Sequence, residues 1–291
     1  MPVTDDPSTG GVVTSGALRE WPLPQPGGSK HSRGRIVVVG GSASTPGAAM
    51  LAGLAGLRVG AGVLALAVAE PVAAAVAAAL PEAAVHGSGL IAGERDDGRL
   101  ADAVAGADAV VVGPGLDDPQ VAAAVVRAVL DVVDDGPRLV LDAFALGVLA
   151  DVPGVERIAG RSVLTPNVGE AARLLQREID GGEDGAAVAA EVAKRYGVAV
   201  SYESWVADAD GRSWTVPAGH PGLGTSGSGD VLAGAIGGLL ARGADPARAA
   251  AWGTYLHGTA GDRLAARVGR LGFLARELAA ELPLVLVETE A

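Results

Sequence analysis

Short runs of β-branched and other apolar residues alternate with helix-like segments, and this alternation constrains the fold more than any other feature. The runs lie at residues 36–39, 63–68, 109–112, 139–141 and 163–164, and the helix-like segments between them at 47–58, 72–80, 120–133 and 170–176. Buried strands that alternate with helices pair in parallel through right-handed crossovers. We therefore expect an α/β fold with a single doubly wound, mostly parallel sheet flanked by helices.

The second half of the chain follows a different order. A helix that ends at Tyr196 precedes strand candidates at 198–202 and 213–216, and helical segments follow at 230–242 and 246–267. We find no repeat or linker within residues 34–291, so we expect one domain there. Residues 1–33 are rich in Gly, Pro, Ser and Thr, and we expect them to form a flexible or loosely docked N-terminal arm.

Composition excludes several classes of protein. The 291 residues include 22 Lys and Arg against 34 Asp and Glu, a net charge of −12, which argues against a nucleic-acid binder because neutralising phosphates requires clustered basic residues. The absence of cysteine excludes disulfides and thiolate metal sites. Neither a transmembrane segment nor a signal-peptide pattern is evident. We expect a cytoplasmic protein that acts on small molecules.

Ligands of open parallel sheets bind beyond the carboxyl ends of the strands. The loops at 40–42, 113–115, 142–143 and 165–167 follow strand candidates, and three glycine clusters lie among the loops at this edge. The glycine-rich segment 222–230 opens directly into a helix of small residues. Free N–H groups and the helix dipole make such a helix start an anion site. Asp230 either belongs to this site or serves only as the N-cap of the helix.

The sequence GSGD at 227–230 resembles the anion-hole signature of the ribokinase-like superfamily. Shorter motifs narrow the resemblance to the ADP/ATP-dependent NAD(P)H-hydrate dehydratases: 36–42 with 46–48, LPE at 80–82, GPGL at 113–116, LDA at 141–143, LTP at 164–166, GE at 169–170, PGL at 221–223, and HG at 257–258 with AGD at 260–262. They follow the family's order from about residue 34 to about residue 282.

This resemblance implies a ribokinase-like fold and a repair reaction. ADP or ATP, with Mg²⁺, would phosphorylate the ring hydroxyl of hydrated NADH or NADPH, and phosphate would then leave. Asp230 would be the general base, and the N–H groups of Gly227, Ser228 and Gly229 would form the anion hole. The resemblance also implies a homo-oligomer, which is often a tetramer in this family.

The resemblance further implies which residues bind the two substrates. Ala48, Gly115 and Asn167 would line the hydrate pocket together with Asp230, and Asp142 would face the phosphates near Mg²⁺. The metal ligands themselves are not identified by any carboxylate cluster. The adenine nucleotide would contact Gly229 and five consecutive residues, of which the aromatic ones are candidates for stacking: Ser201, Tyr202, Glu203, Ser204 and Trp205.

The chain departs from the family pattern at four places, and one of them, TSGSGD at 225–230 in place of the usual TGGTGD, keeps the small residues of the loop. Phe144 stands where the family has an acidic or amide residue, Asn167 stands where it has histidine, and segment 201–205 lacks the usual Lys-Gly-Ala. Arg195 or Arg212 could supply the missing charge. Two other functions stay open: a ribokinase-like kinase of a small alcohol or vitamin precursor, and a catalytically lapsed nucleotide-binding homologue.

Overall fold

The computed structural model describes residues 6–25, 27–95, 98–133 and 136–291. The strands in this part of the chain are β1 (Gly11–Val12), β2 (Arg35–Val39), β3 (Val63–Ala69), β4 (Ala83–Ser88), β5 (Ala109–Val112), β6 (Arg138–Leu141), β7 (Ser162–Leu164), β8 (Ala199–Tyr202), β9 (Trp205–Ala207) and β10 (Ser213–Thr215). The α-helices are α1 (Ser15–Glu20), α2 (Pro46–Arg58), α3 (Ala73–Ala79), α4 (Arg99–Val104), α5 (Pro119–Val132), α6 (Phe144–Val148), α7 (Val168–Leu175), α8 (Gly185–Tyr196), α9 (Ser228–Ala241), α10 (Pro246–Arg267) and α11 (Ala275–Glu290).

The strands form one sheet in the order β1-β10-β9-β8-β7-β6-β5-β2-β3-β4. Strand β9 runs antiparallel to β8 and β10, and the other neighbouring pairs are parallel. The chain winds outward from β2 in both directions, to β3 on one side and to β5 on the other. The expected α/β fold with a doubly wound, mostly parallel sheet is confirmed.

Helices cover both faces of the sheet, which explains why its central strands are apolar throughout. Ile36 and Val38 of β2 belong to one core with α2, α9, α10 and α11, whereas Val37 and Val39 belong to a second core with α5 to α8. Successive strand side chains point to opposite faces, so each strand contributes to both cores.

Glycines allow α2 and α9 to pack backbone against backbone. A Cβ on Gly234 would lie 2.0 Å from the carbonyl oxygen of Ala52, and a Cβ on Gly238 would lie 2.5 Å from that of Gly56. A larger residue at either position would force the helices apart. This contact holds the start of α2, with Ala48, in a fixed relation to the helix that carries Asp230.

The N-terminal segment is packed against the domain, which corrects our expectation of a loosely docked arm. Strand β1 pairs with β10, and Leu18 and Trp21 are buried. The Trp21 ring stacks on Trp214 with centroids 5.4 Å apart, and Trp252 Nε1 donates to the Trp21 carbonyl at 2.8 Å. The contacts of this segment are aromatic and long-range. Residues 1–5 and Pro26, which the prediction also covered, lie outside the described residues.

Within the described part of the chain, no helix is long and apolar enough to cross a membrane.

Candidate active site

The loops after β2 and β5 are joined at the carboxyl edge of the sheet. Gly41 N–H donates to the Pro114 carbonyl at 2.8 Å, and Ser42 N–H donates to the Gly115 carbonyl at 2.7 Å. Gly115 has φ +73°, and a Cβ there would lie 2.4 Å from the Thr45 carbonyl oxygen and 3.0 Å from the Ala48 Cβ. Ala48 and Gly115, predicted as substrate residues, are therefore direct neighbours.

Asp142 is a buried carboxyl at the end of β6. Its Oδ1 accepts a hydrogen bond of 2.8 Å from Thr165 Oγ1 at the end of β7. Burial raises the pKa of Asp142 to about 7, and the nearby carboxylates of Asp230 and Glu170 add to this rise, against the effect of Thr165. The next residue, Ala143, has φ +52° and ψ −128°, a strained conformation that costs about 1–3 kcal/mol.

Asp230 is the third residue of α9 and does not cap it. The N-cap is Gly227, at φ +87°. The Asp230 side chain is half-buried, and burial raises its pKa to about 6. No described residue donates a hydrogen bond to this carboxylate. Because the capping role is absent, the carboxylate is available for chemistry.

The predicted anion hole is only partly free. Ser228 N–H already donates to the Thr225 carbonyl at 3.2 Å. The N–H groups of Gly227, Gly229 and Asp230 have no hydrogen-bond partner among the described residues. The first turn of α9 thus offers three backbone donors next to the Asp230 carboxylate, with Asp230 N–H in the place that we predicted for Ser228.

A cavity of about 720 Å³ opens between the ends of β7 and β8 and helices α9 and α10. It is lined by six predicted site residues: Asn167, Ser201, Glu203, Ser204, Ser228 and Gly229. Ser201 Oγ lies 2.7 Å from Thr254 Oγ1 on α10, so both hydroxyls are satisfied. The structure brings most of the predicted nucleotide-binding residues together here, whereas Ala48 lies in the first turn of α2 and Gly115 packs against it.

The two aromatic residues of segment 201–205 do not line this cavity. Tyr202 is 3% exposed and belongs to the core on the opposite face of the sheet, and Trp205 is packed against that core. A Cβ on Gly185 of α8 would lie 2.5 Å from the Trp205 ring. In this structure neither ring is available for stacking on an adenine in the cavity, contrary to our expectation.

Neither candidate for the missing cation lies at the cavity. Arg212 pairs with Asp208 at 2.5 Å, and Arg195 donates to the Leu175 carbonyl at 2.9 Å. The described residues that line the cavity include no lysine or arginine. One of its histidines, His220, has a basic partner outside the cavity wall, because its Nε2 lies 3.0 Å from Arg270 Nε.

His257, the histidine of the HG motif, lies in the wall of the cavity. It is 8% exposed, and its Nε2 lies 2.9 Å from Ser228 Oγ. Burial lowers the pKa of His257 to about 4, so the ring is neutral at physiological pH. The hydrogen bond connects α10 to the first residue of α9. The sequence signal that could have identified His257 as a site residue was its place in the HG motif, just before the AGD motif at 260–262.

Asn167 caps α7 while it lines the cavity. Its Oδ1 accepts from Glu170 N–H at 3.0 Å, and Glu170 Oε2 accepts from Asn167 N–H at 2.9 Å. Burial raises the pKa of Glu170. The reciprocal bonds form a capping box, which fixes the loop after β7.

A model of the NAD(P)H-hydrate dehydratase family matches residues 36–284 of the chain. The chain belongs to this family. It is 46% identical to an ADP-dependent (S)-NAD(P)H-hydrate dehydratase of Xanthomonas campestris, over 94% of this chain and 96% of that protein. It spans about half the length of the bifunctional NAD(P)H-hydrate repair enzymes that it also matches.

Solved structures agree with this family. An ADP/ATP-dependent NAD(P)H-hydrate dehydratase from Bacillus subtilis, co-crystallised with ATP and Mg²⁺, has a TM-score of 0.80 at 29% identity and covers 96% of this chain and 98% of its own. A ribokinase-like superfamily protein from Enterococcus faecalis has a TM-score of 0.81 at 25% identity and covers 96% of each chain. The expected ribokinase-like fold is confirmed.

The described residues of this dehydratase-family chain offer few ligands for Mg²⁺. Among the described residues no group of three or more His, Cys, Asp or Glu side chains is arranged to hold a metal ion. Asp142 nevertheless carries a raised pKa that the Asp230 and Glu170 carboxylates increase. A divalent cation carried in with nucleotide phosphates would relieve this repulsion, and hard oxygen donors suit Mg²⁺.

Proposed function

We propose that the chain dehydrates hydrated NADH or NADPH at the expense of ADP or ATP. The observation that carries this proposal is the Asp230 carboxylate, which has no hydrogen-bond donor among the described residues and lies at the free N–H groups of α9. The pKa of Asp230, raised to about 6, suits a general base near neutral pH. Family membership supplies the choice of reaction.

In the proposed first step, Asp230 accepts the proton of the ring hydroxyl. The hydroxyl oxygen then forms a bond to the terminal phosphorus of the nucleotide, whose bridging P–O bond breaks. The N–H groups of Gly227, Gly229 and Asp230 stabilise the charge on the transferred phosphoryl oxygens. In the second step the carbon–oxygen bond breaks, phosphate leaves, and loss of a proton from the adjacent ring carbon restores the dihydropyridine.

Magnesium would neutralise part of the phosphate charge during transfer. Asp142 is the residue that would face it, through water or directly, at the end of β6. Its pKa of about 7 means that it is only partly ionised at neutral pH, and a nearby cation would favour the ionised form.

The binding residues divide into two groups. Ala48 and Gly115, which pack against each other where α2 begins and where the loop after β5 passes, would contact the hydrated ring. Ser201, Glu203, Ser204 and Gly229 would contact the nucleotide in the 720 Å³ cavity, with Asn167 at its edge towards the ring. Tyr202 and Trp205 would support this segment from the opposite face.

A second function has one observation in its favour. The cavity wall carries Glu203 and, among its described lining residues, no lysine or arginine, so nucleotide phosphates gain little from side-chain charge. A nucleotide-binding homologue that has lost catalysis would tolerate this arrangement. No observation favours a kinase of a small alcohol, because such a kinase would use the same anion hole as the dehydratase.

Recovery of reduced-nicotinamide absorbance from hydrated NADPH, with Mg²⁺ and either ADP or ATP, tests the proposal. We expect a nucleotide-dependent rise that Asp230→Asn abolishes. A phosphorylated product that persists would favour the alcohol kinase. No rise with either donor, in protein that still binds adenine nucleotide, would favour the lapsed homologue.

We also propose a cytoplasmic homo-oligomer, a tetramer by family resemblance. Sedimentation velocity over a wide concentration range would test it, and a monomer throughout would contradict it.

A further inference from the structure

A second cavity, the Phe144 groove, lies beside the candidate site and has no role in the proposed chemistry. It has a volume of about 410 Å³ and lies where α5 begins and where α6 and α7 face each other. Pro119, Phe144 and Val148 form its apolar walls, and Arg173 contributes a positive charge. The groove therefore combines apolar surface with one cation and one carboxylate, that of Glu170.

Phe144, the first residue of α6, is exposed to solvent. It is 40% exposed, although aromatic rings gain most when they are removed from water. The strained backbone at Ala143 immediately precedes it, and Ala143 itself lines the groove. A planar ligand ring placed on Phe144 would cover this apolar surface.

Arg173 interacts electrostatically with the Glu170 carboxylate, one turn earlier on α7, but it forms no salt bridge in the described part of the chain. No acidic side chain there lies within ion-pair distance of its guanidinium. A Cβ on Gly147 of α6 would lie 3.9 Å from Arg173 Nη1, so the guanidinium extends across the groove towards α6. In a chain with net charge −12, an arginine that forms no salt bridge and lies beside an apolar wall suits an anionic group such as a phosphate.

Residues of the groove adjoin residues of the candidate site. Ala143 follows Asp142, and Glu170, which also lines the groove, forms the capping box with Asn167 of the large cavity. A hydrated dinucleotide has the reacting ring at one end and adenosine at the other, joined by a pyrophosphate. When the ring is beside Asp230 and the phosphoryl donor fills the large cavity, the adenosine half needs another surface.

We propose that the Phe144 groove binds the adenosine half of the hydrated dinucleotide. The adenine ring packs on Phe144, and a phosphate of the same half binds Arg173. This inference rests on the proposed function. The phosphate is either the pyrophosphate or the 2′-phosphate of the NADPH form, and the two substrates distinguish them.

The test compares hydrated NADH, hydrated NADPH and hydrated reduced nicotinamide mononucleotide, which lacks the adenosine half. Phe144→Ala removes the ring and Phe144→Tyr keeps it. Arg173→Gln removes the charge, and Arg58→Gln, an exposed arginine in the last turn of α2, is the matched control. The KM for each substrate and for the nucleotide is measured at saturating levels of the other.

We expect Phe144→Ala to raise the KM for both dinucleotides about tenfold and that for the mononucleotide less than about twofold. Phe144→Tyr and Arg58→Gln should resemble the wild type. Arg173→Gln should raise the KM for both dinucleotides equally if it binds the pyrophosphate, and more for the NADPH form if it binds the 2′-phosphate.

Three results would overturn the inference: an equal rise in the KM for the mononucleotide, no change in KM with any substrate, or a rise in the KM for ADP or ATP instead.

Calorimetric titration with NADH, compared with titration with reduced nicotinamide mononucleotide, measures binding at the groove without turnover. Phe144→Ala should weaken only NADH binding. If the wild type repairs nothing but shows this pattern, the proposed function fails and the groove assignment stands. If the wild type repairs the hydrate and Phe144→Ala binds NADH as the wild type does, the groove assignment fails and the proposed function stands.

Discussion

The two sides of the candidate site differ in the groups they offer to a ligand: one offers mainly backbone groups, and the other mainly side chains. On the phosphoryl side, the loops at 40–42 and 113–115 pack closely through their glycines, and the first turn of α9 provides free backbone N–H groups. On the nucleotide side, segment 201–205 provides side chains, and there Glu203 faces a cavity in which the described lining residues include no lysine or arginine. Backbone donors follow from the fold itself, whereas side-chain charge depends on single residues. The first side should therefore depend on geometry and the second on electrostatics.

The largest expected effect is on the phosphoryl side. Asp230→Asn keeps the size of the side chain and the N–H groups of α9 but removes the base. We expect turnover to fall about 10³-fold while nucleotide affinity stays within about twofold, because the backbone donors remain. Absorbance recovery and calorimetric titration with ADP measure the two quantities.

The pH profile is an independent check on Asp230. In the wild type, kcat/KM should fall as the pH drops through about 6, the pKa to which burial raises this carboxyl. Retention of most activity in Asp230→Asn, or an acid limb that persists in it, would remove Asp230 from the role of base.

The next effect concerns Asp142, because the free-energy cost of burying its ionised carboxyl depends on pH. Its folded-state pKa of about 7 lies above its ordinary value of 3.8, so the folded state holds the proton more tightly. The stability that this provides is present at low pH and is lost as the pH rises from about 4 to 7. Asn keeps the oxygen that accepts from Thr165 but cannot ionise. Relative to the wild type, Asp142→Asn should gain about 2 kcal/mol at pH 5 and up to about 4 kcal/mol at pH 8, in urea unfolding without nucleotide or Mg²⁺.

The control for this prediction is to compare the stability difference between Asp142→Asn and the wild type at the two pH values. Equal destabilisation of Asp142→Asn at pH 5 and pH 8 would show that packing at the end of β6, rather than burial of a charge, decides its stability.

The hydrogen bond between His257 and Ser228 joins the two sides of the site. His257→Leu leaves the buried Ser228 hydroxyl without its partner, which should lower stability by about 1–3 kcal/mol and raise the KM for the nucleotide. In the double variant with Ser228→Ala both partners are gone, so much of the stability should return. Thermal unfolding of the wild type, the two single variants and the double variant gives the coupling free energy between His257 and Ser228. Strictly additive losses of stability would contradict this coupling.

The elements that the sequence predicted correctly and those that it missed differ in how their burial appears in the sequence. The β-branched runs predicted β2, β3, β5, β6 and β7 because full burial on both faces leaves an apolar signature. Strand β4 was missed because it lies at the edge of the sheet and contains His86 and Gly87. Helix α11 was missed because Pro283 lies inside it, and proline usually ends a helix.

Docking of the N-terminal segment could not be predicted locally, because it depends on contacts between Trp21 and residues far along the chain. The loops of the phosphoryl side were located from strand ends and glycines alone. The error at Tyr202 and Trp205 was avoidable in part. Alternation along β8 places Ser201 on the face of α10 and Tyr202 on the opposite face, so the two could not share one cavity.

The smallest expected effect lies on the nucleotide side and sharpens the comparison most directly. Glu203 lines the cavity at φ +51°, and its carboxylate would repel nucleotide phosphates across solvent. Glu203→Gln should lower the KM for ADP or ATP about two- to fivefold, and Glu203→Lys should lower it further, both more strongly at low salt. Glu156→Gln, an exposed residue of the turn Val155–Ile158, is the matched control. A KM that does not respond to charge at position 203, or that responds equally at high salt, would mean that the nucleotide side, like the phosphoryl side, is held by backbone geometry.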